Sequence, residues 1–374
     1  MSVSDDSYLD DRYMAFAIEL ARRGWYTAKP NPRVGCVIVA DGKIVGEGWH
    51  QRAGDAHAEV NALTMAGSLA TGATAYVSLE PCNHQGRTPP CSGQLIKAGV
   101  ARVVYGVKDP HDVAGGGGSV LRDAGIEVCG PVLETEARAV NAGFLQRCET
   151  GLPRVTLKIA ASLDGRTAMA SGESQWITGP AARSDVQRLR AQSGAIVTGI
   201  GTVLQDNPAM TVRAEQLDLP DAENIAQLQP LRVIVDSQLR TREDLKILSE
   251  PGQVLIATAK QKALIAGAEV ISLPNSQGKV SLPALLRELA DRECNDVLVE
   301  AGAKLAGAFV REGLVDELVI YLAPRLLGRK AMPMLDLAFD EMAEALDLDI
   351  VDVRAVGQDW RITAQPLSHS PSPL

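Results

Sequence analysis

Apolar positions recur at helical spacing from Tyr13 to Arg23, and the chain then turns to a β-branched run over residues 34–40. Asp41-Gly42 separates that run from residues 43–48, and a DG pair between two extended segments predicts a hairpin. A helix over 56–66, a strand over 73–79, a helix over 91–98 and a strand over 101–107 follow, which predicts a sheet flanked by helices. Residues 115–118 are four glycines ahead of a helical stretch at 119–124. They read as a flexible loop or, without the Lys-Ser/Thr ending of a P-loop, as a weak phosphate cradle.

Gly151-Leu152-Pro153 interrupts the pattern, so the chain is expected to divide into domains over 1–149 and 150–366, with a loose Ser/Pro-rich tail over 367–374. Strands are predicted at 154–161, 195–198, 231–236, 254–258, 270–273, 296–299 and 317–323. Helices are predicted at 180–192, 282–293 and 304–312, and the alternation reads as a second α/β domain. The acidic, Gln-rich stretch 214–229 reads as a loop.

A chain of 374 residues exceeds what one hydrophobic core usually supports. With 46% hydrophobic and 22% charged residues, both halves can bury a core. The net charge of −9, with neither half basic, argues against a nucleic-acid or anionic-membrane partner. No stretch approaches a membrane span and no secretory signal is evident, so the expected compartment is the cytoplasm. The six cysteines then read as metal ligands or packed thiols and not as a disulfide framework.

The chemistry concentrates in His57-Ala58-Glu59, Pro81-Cys82 and Cys91. One imidazole and two thiolates supply three zinc ligands, which leaves the fourth position of a catalytic zinc for water. Glu59, two residues from His57, points away from the ligand position and can serve as the proton shuttle. Pro89-Pro90-Cys91 reads as a helix start, where the dipole favours thiolate. A closed structural site with Cys36, Cys129 or His84 as fourth ligand is the other reading, but it would have no use for Glu59. Cys36 lies in an apolar run and reads as a packed thiol, as do Cys129, Cys148 and Cys294. His50 stays undecided, while His111 and His369 read as solvated.

The zinc deaminase pattern is H-x-E followed by P-C-x-x-C, whereas eight residues separate the cysteines here. That longer loop, Glu80-Pro81-Cys82-Asn83-His84-Gln85-Gly86-Arg87-Thr88-Pro89-Pro90-Cys91, resembles the deaminase loop of the bifunctional riboflavin-biosynthesis deaminase/reductase family. Pro30-Asn31-Pro32-Arg33-Val34-Gly35 extends the resemblance, which covers nearly all of residues 10–145. It implies a cytidine-deaminase-like α/β/α domain, with Asn31 on the pyrimidine and His84 and Arg87 toward the phosphoribosyl group.

In the second half, Gly199-Ile200-Gly201-Thr202 follows a strand but lacks the third glycine of a dinucleotide fingerprint, so a tight turn is an equal reading. Together with Asp206-Asn207-Pro208-Ala209-Met210-Thr211-Val212-Arg213, Ala161-Ser162-Leu163-Asp164-Gly165-Arg166-Thr167 and Val299-Glu300-Ala301-Gly302, it resembles the reductase half of the same family over residues 153–328. The resemblance implies a dihydrofolate reductase-like α/β fold. It also implies an NADPH site at Ala160, Trp176, Thr202, Asp206, Ser237 and Gly302, and a substrate site at Ser174, Arg190, Met210, Arg213 and Glu300. Gly302 to Gly307 can open a helix that accepts a pyrophosphate, or can serve close helix packing. Arg190 and Arg213 are suited to a ribose 5-phosphate. Alternatively, Arg190 is a surface charge and Trp176 a core or interface aromatic.

The implied protein is a zinc-dependent hydrolase (deaminase) and NADPH-dependent oxidoreductase. It would deaminate 2,5-diamino-6-(5-phosphoribosylamino)pyrimidin-4-one and then reduce the ribosyl group, giving 5-amino-6-(5-phosphoribitylamino)uracil. Its partner would be this small phosphoribosyl pyrimidine, and assembly would be as a homo-oligomer. A nucleic-acid deaminase shares the metal chemistry, but the acidic halves and the few aromatic residues argue against it. A regulatory nucleotide-binding module without catalysis is disfavoured by the intact His57-Ala58-Glu59.

Overall fold

The computed structural model describes residues 5–84, 89–111, 113–261 and 263–367. Arg87, His369 and most of the expected tail lie outside them. The chain divides into two units, Met1–Leu152 and Pro153–Leu374.

The first unit runs α1 (Asp5–Arg22), β1 (Gly35–Ala40), β2 (Lys43–Trp49), α2 (Ala58–Ala66), β3 (Thr74–Leu79), α3 (Cys91–Ala98), β4 (Arg102–Val107), α4 (Gly117–Asp123), β5 (Glu127–Cys129), α5 (Glu134–Val140) and α6 (Ala142–Thr150). Its sheet has the order β2-β1-β3-β4-β5. The β1–β2 and β1–β3 pairs are antiparallel, and β3–β4 and β4–β5 are parallel.

Period-two alternation sends Val37 and Val39 to one face, where they pack with Met14 and Ile18 of α1, Val140 of α5 and Phe144 of α6. Cys36 and Ile38 go to the other face, against Ala58 and Ala62 of α2, Leu95 of α3 and Leu121 of α4. This is a three-layer α/β/α unit. Glycine brings α2 unusually close to the sheet: a Cβ on Gly48 would lie 2.5 Å from Ala58 O, and one on Gly46 would lie 2.2 Å from Ala62 O. His57 is thereby fixed at the N-cap of α2, above the strand ends.

The second unit runs β6 (Arg154–Ser162), β7 (Arg166–Ala168), α7 (Pro180–Gln192), β8 (Ala195–Gly199), α8 (Ile200–Asp206), α9 (Ala222–Gln227), β9 (Leu231–Val235), α10 (Lys246–Ser249), β10 (Val254–Thr258), β11 (Glu269–Ser272), α11 (Leu282–Asp291), β12 (Asp296–Val299), α12 (Ala303–Arg311), β13 (Glu317–Ala323), β14 (Met332–Pro333), β15 (Leu348–Val356) and β16 (Asp359–Pro366). Nine strands form one sheet in the order β11-β10-β9-β8-β12-β6-β13-β16-β15. It is parallel from β11 to β13, and β16 and β15 add antiparallel at one edge. β12, late in sequence, lies between β6 and β8, so connections leave the neighbouring C-terminal ends of these strands in different directions. Such a crevice is where open α/β sheets bind ligands.

The stretch 214–229 departs from its expected loop. It contains α9, and Leu217 and Ile225 are buried because they anchor the segment to the body of the unit. Among the described residues no helix is long and apolar enough to cross a membrane.

Candidate active sites

In the first unit, β3 ends at Leu79, and Glu80-Pro81-Cys82 turns away from the sheet. Cys91 is the first residue of α3, where its backbone N–H approaches Cys82 Sγ at 3.5 Å. His57 Nδ1 lies 3.6 Å from Cys82 Sγ and 3.3 Å from Cys91 Sγ. All three donor atoms lie within 4.8 Å of one another, and among the described residues no fourth His, Cys, Asp or Glu joins them.

Tetrahedral zinc, with bonds of about 2.3 Å to sulfur and about 2.05 Å to nitrogen, places N and S roughly 3.6 Å apart. The observed spacings fit a divalent ion bound by three protein atoms. Nothing among the described residues supports the closed four-ligand reading: Cys36 is buried in the sheet–helix core, Cys129 Sγ contacts Glu127, and His84 is exposed.

The electrostatics match a site built to exchange protons for a cation. Hydrogen bonding from Cys91 and His57 outweighs burial and brings the Cys82 thiol down to about 4. The hydrogen bond with Cys82 raises His57, and the neighbouring Cys82 together with burial raises Cys91. Glu59, in the first turn of α2 and 3% exposed, is pushed up to about 7, first by burial and then by the Cys82 charge.

His50, undecided from sequence, is buried with its ring edge-on to His57. Its Nδ1 faces Ala56 O at 3.2 Å and therefore carries the hydrogen, so Nε2 accepts from Asn31 Nδ2 at 3.0 Å. Among the described residues no hydrogen bond engages Asn31 Oδ1. His111 is not a plain surface residue: it is half-buried, and its Nδ1 accepts the N–H groups of Val113 and Ala114. Cys129 and Cys148 are only half-buried, at the margin of the core, whereas Cys294 is buried as expected.

The glycine run divides: Gly115 and Gly116 lie in the loop after β4, as one reading expected, and the rest departs from both readings. Gly117 and Gly118 are buried and open α4. The Gly118 N–H that a phosphate cradle would offer is taken by Glu80 Oε1 at 2.9 Å.

In the second unit a cavity of about 1130 Å³ opens at the C-terminal ends of β6, β8 and β12. Of the residues expected to bind cofactor, Ala160, Trp176, Thr202, Asp206 and Gly302 line it. Ser237 does not; its hydroxyl oxygen accepts the Val280 N–H at 3.0 Å. The expected substrate residues Ser174, Arg190, Met210, Arg213 and Glu300 all line it.

Trp176 is 61% exposed and carries the Arg183 guanidinium 4.6 Å above its ring, so it belongs to the cavity wall and not to the core. Gly302 is the N-cap of α12 and stands open toward Thr202, whereas a Cβ on Gly307 would lie 2.5 Å from Asp336 O. Gly307 thus serves the close packing of α12, one of the two purposes weighed above.

Arg190 is not a surface charge: its Nε and Nη2 donate to the two Glu300 oxygens at 2.6 and 3.0 Å, and Nη1 donates to Thr211 O. Lys158 Nζ lies 3.8 Å from the same carboxylate. Burial alone would raise Glu300, but Arg190 and Lys158 outweigh it and hold the carboxyl below its ordinary value. Arg213 is exposed and donates no side-chain hydrogen bond among the described residues. Sequence reasoning missed Lys158, whose role depends on β6 lying next to β12. It also missed Arg183, which has no motif context.

Residues 7–107 match the family profile of the cytidine and deoxycytidylate deaminase zinc-binding region, and residues 153–362 match that of the RibD C-terminal domain. The riboflavin biosynthesis protein RibD of Escherichia coli (strain K12) is 50% identical over 359 residues, covering 94% of this chain and 97% of that protein. The Haemophilus influenzae protein of the same name is 45% identical, over 95% of this chain and 96% of its own. Among solved structures, Acinetobacter baumannii RibD superposes with a TM-score of 0.90 at 46% identity, covering 97% of this chain and 100% of that chain. A Thermotoga maritima diaminohydroxyphosphoribosylaminopyrimidine deaminase/5-amino-6-(5-phosphoribosylamino)uracil reductase gives 0.85 at 32% identity, with the same coverage.

Proposed function

From the premise that this chain belongs to the RibD family of bifunctional riboflavin-biosynthesis deaminase/reductases, we propose which step each unit performs and with which residues. The first unit deaminates 2,5-diamino-6-(5-phosphoribosylamino)pyrimidin-4-one, and the second reduces the ribosyl group of the product with NADPH to the ribityl chain. The observation that carries the reading is the convergence of His57, Cys82 and Cys91 beside the buried Glu59.

In the first unit His57, Cys82 and Cys91 hold zinc, which when bound supplies Lewis-acid activation of a water near neutral pH. Glu59, raised to about 7, takes a proton from the attacking water and returns protons to the departing amine. Asn31, its amide fixed by His50, presents Oδ1 to an N–H of the ring. His84 and, by the family resemblance alone, Arg87 are assigned to the phosphoribosyl end.

In the second unit Ala160, Trp176, Thr202 and Asp206 would hold NADPH, and the N-terminus of α12 at Gly302 would accept its pyrophosphate. Ser237 lies two residues beyond Val235, which lines the cavity. NADPH supplies the hydride, and the protein's share is to position the reacting carbons. Ser174, Met210 and Glu300 hold the substrate, Arg213 takes the 5-phosphate, and Arg190 orients Glu300. Both substrates are small phosphoribosyl pyrimidines, in keeping with a cytoplasmic enzyme that takes no nucleic-acid or membrane partner. The exposed apolar side chains of β15 support a homo-oligomer formed through the second unit, to be read by sedimentation.

A zinc titration of metal-stripped protein tests the assignment. Ammonia release should saturate at one zinc per chain, and NADPH should bind with or without zinc. Full ammonia release without added metal would overturn it.

A further inference from the structure

We propose that Glu80 is a positioning residue for deamination, acting through Cys82. It rests on the metal-dependent deaminase reading of that site and goes beyond it. Glu80 ends the strand pairing, its own N–H donating to Val107 O at 2.8 Å, and it begins the turn that carries the Cys82 ligand. Its side chain is buried, 6% exposed, and among the described residues it has no ion pair within 4 Å. Oε1 accepts the Gly118 N–H at 2.9 Å and Oε2 accepts the Asp109 N–H at 3.3 Å.

One carboxyl group therefore ties together both ends of the segment 109–118 and fastens them to the residue two before a metal ligand. The segment then closes on the turn at two more points. Asn83 N donates to Ala114 O at 2.8 Å, and Gly117 sits so close to Pro81 that a Cβ would lie 1.8 Å from Pro81 O. On the opposite side Ser92 N donates to Cys82 O at 3.1 Å.

The Cys82 backbone is thus held between the first turn of α3 and the segment that Glu80 fastens. Groups that hold ligands from behind typically govern metal affinity or activity by about 10- to 100-fold. Glu80 meets no substrate, so its effect travels through the stiffness of the Cys82 turn.

The test uses the full chain with Glu80→Gln, Glu80→Asp and, from the other partner, Gly118→Ala, whose Cβ would lie 2.8 Å from Glu80 Oε1 and displace the carboxyl. Gln keeps one acceptor but turns an NH₂ toward the other N–H, and Asp keeps the charge with a shorter reach. Amide exchange of peptide 109–118 is followed in metal-free protein. Zinc transfer to a chromophoric chelator is followed in zinc-loaded protein, with calorimetric unfolding of the first unit as the folding control and NADPH oxidation by the second unit as the control for the rest of the chain.

Glu80→Gln should speed both exchange and zinc transfer by roughly tenfold or more, with Glu80→Asp intermediate and the reductase unchanged. A merely structural Glu80 would lower the unfolding temperature but leave zinc transfer from folded protein at the wild-type rate, and that result overturns the proposal. If Glu80→Gln does not fold, Gly118→Ala decides by the same two rates. Wild-type protein that takes up no zinc would sink the deaminase reading itself, a failure distinct from unchanged rates in the variants.

Discussion

Replacing Glu59 with Gln should abolish one property and improve another. The side chain is 3% exposed, and burial, reinforced by the Cys82 charge, lifts its carboxyl from an ordinary 4.5 to about 7. A carboxyl raised on folding contributes its full stability below the unfolded value near 4.5 and loses it as pH climbs through 7. At about 1.4 kcal/mol for each tenfold change in proton affinity, holding Glu59 ionised costs metal-free protein about 3 kcal/mol at pH 8. Gln has nothing to ionise. Metal-free Glu59→Gln should therefore unfold at higher temperature than wild type at pH 8 and at nearly the same temperature at pH 4.5. In zinc-loaded protein the same change removes the proton shuttle, worth about 10²- to 10⁴-fold in turnover, while zinc content stays at wild type. Calorimetry across pH reads the first effect and steady-state ammonia release the second. Ammonia release within tenfold of wild type would refute the general-base role, and parallel pH–stability curves would refute the buried-charge account of Glu59.

Stripping the metal should abolish ammonia release but leave NADPH oxidation of the already deaminated ribotide within about twofold, because each unit holds its own site; a joint loss would contradict that. Arg213→Ala should raise KM for the ribotide in the reductase assay by roughly tenfold or more, the weight of one charge-assisted hydrogen-bond partner, with kcat little changed. Arg190→Ala should lower kcat as well, because it leaves Glu300 paired with Lys158 alone; equal effects of the two variants on KM and kcat would remove the distinction between them. Asp10 pairs with Arg102 at 2.7 Å and accepts from Tyr76 at 2.9 Å, and these contacts outweigh burial to hold its carboxyl below 3.8. Its contribution is present above the unfolded value and lost as pH falls through the lower folded one. Asp10→Asn should cost the first unit about 1–3 kcal/mol at neutral pH, with the two proteins converging below pH 4 in calorimetry.

The deaminase site was legible because its chemistry sits at helix ends that sequence marks well. Pro89-Pro90 announces the start of α3 at Cys91, and His57 falls at the N-cap of α2. The final hairpin was not legible. Strand β15 leaves nearly every side chain exposed, and a register shift between Ile350 and Asp352 breaks the period-two alternation that would have marked it. The glycine run carries no side-chain pattern, so its seat against Pro81 follows only from how α4 approaches the β3 turn. Glu80 was equally hidden: its partners are backbone N–H groups that fold back from 29 and 38 residues away. In the second unit the motifs placed the cavity wall well, but the Arg190–Glu300 pair depends on α7 reaching the end of β12, a contact no local pattern encodes.

The most direct measurement gives zinc-loaded, full-length protein the diaminopyrimidine ribotide with NADPH and follows ammonia and NADPH in the same reaction. Ammonia should appear first, and NADPH should be consumed only after a lag that vanishes when the deaminated ribotide is supplied instead. NADPH oxidation ahead of ammonia release, or ammonia with no oxidation of either ribotide, would contradict consecutive deamination and reduction by the two units.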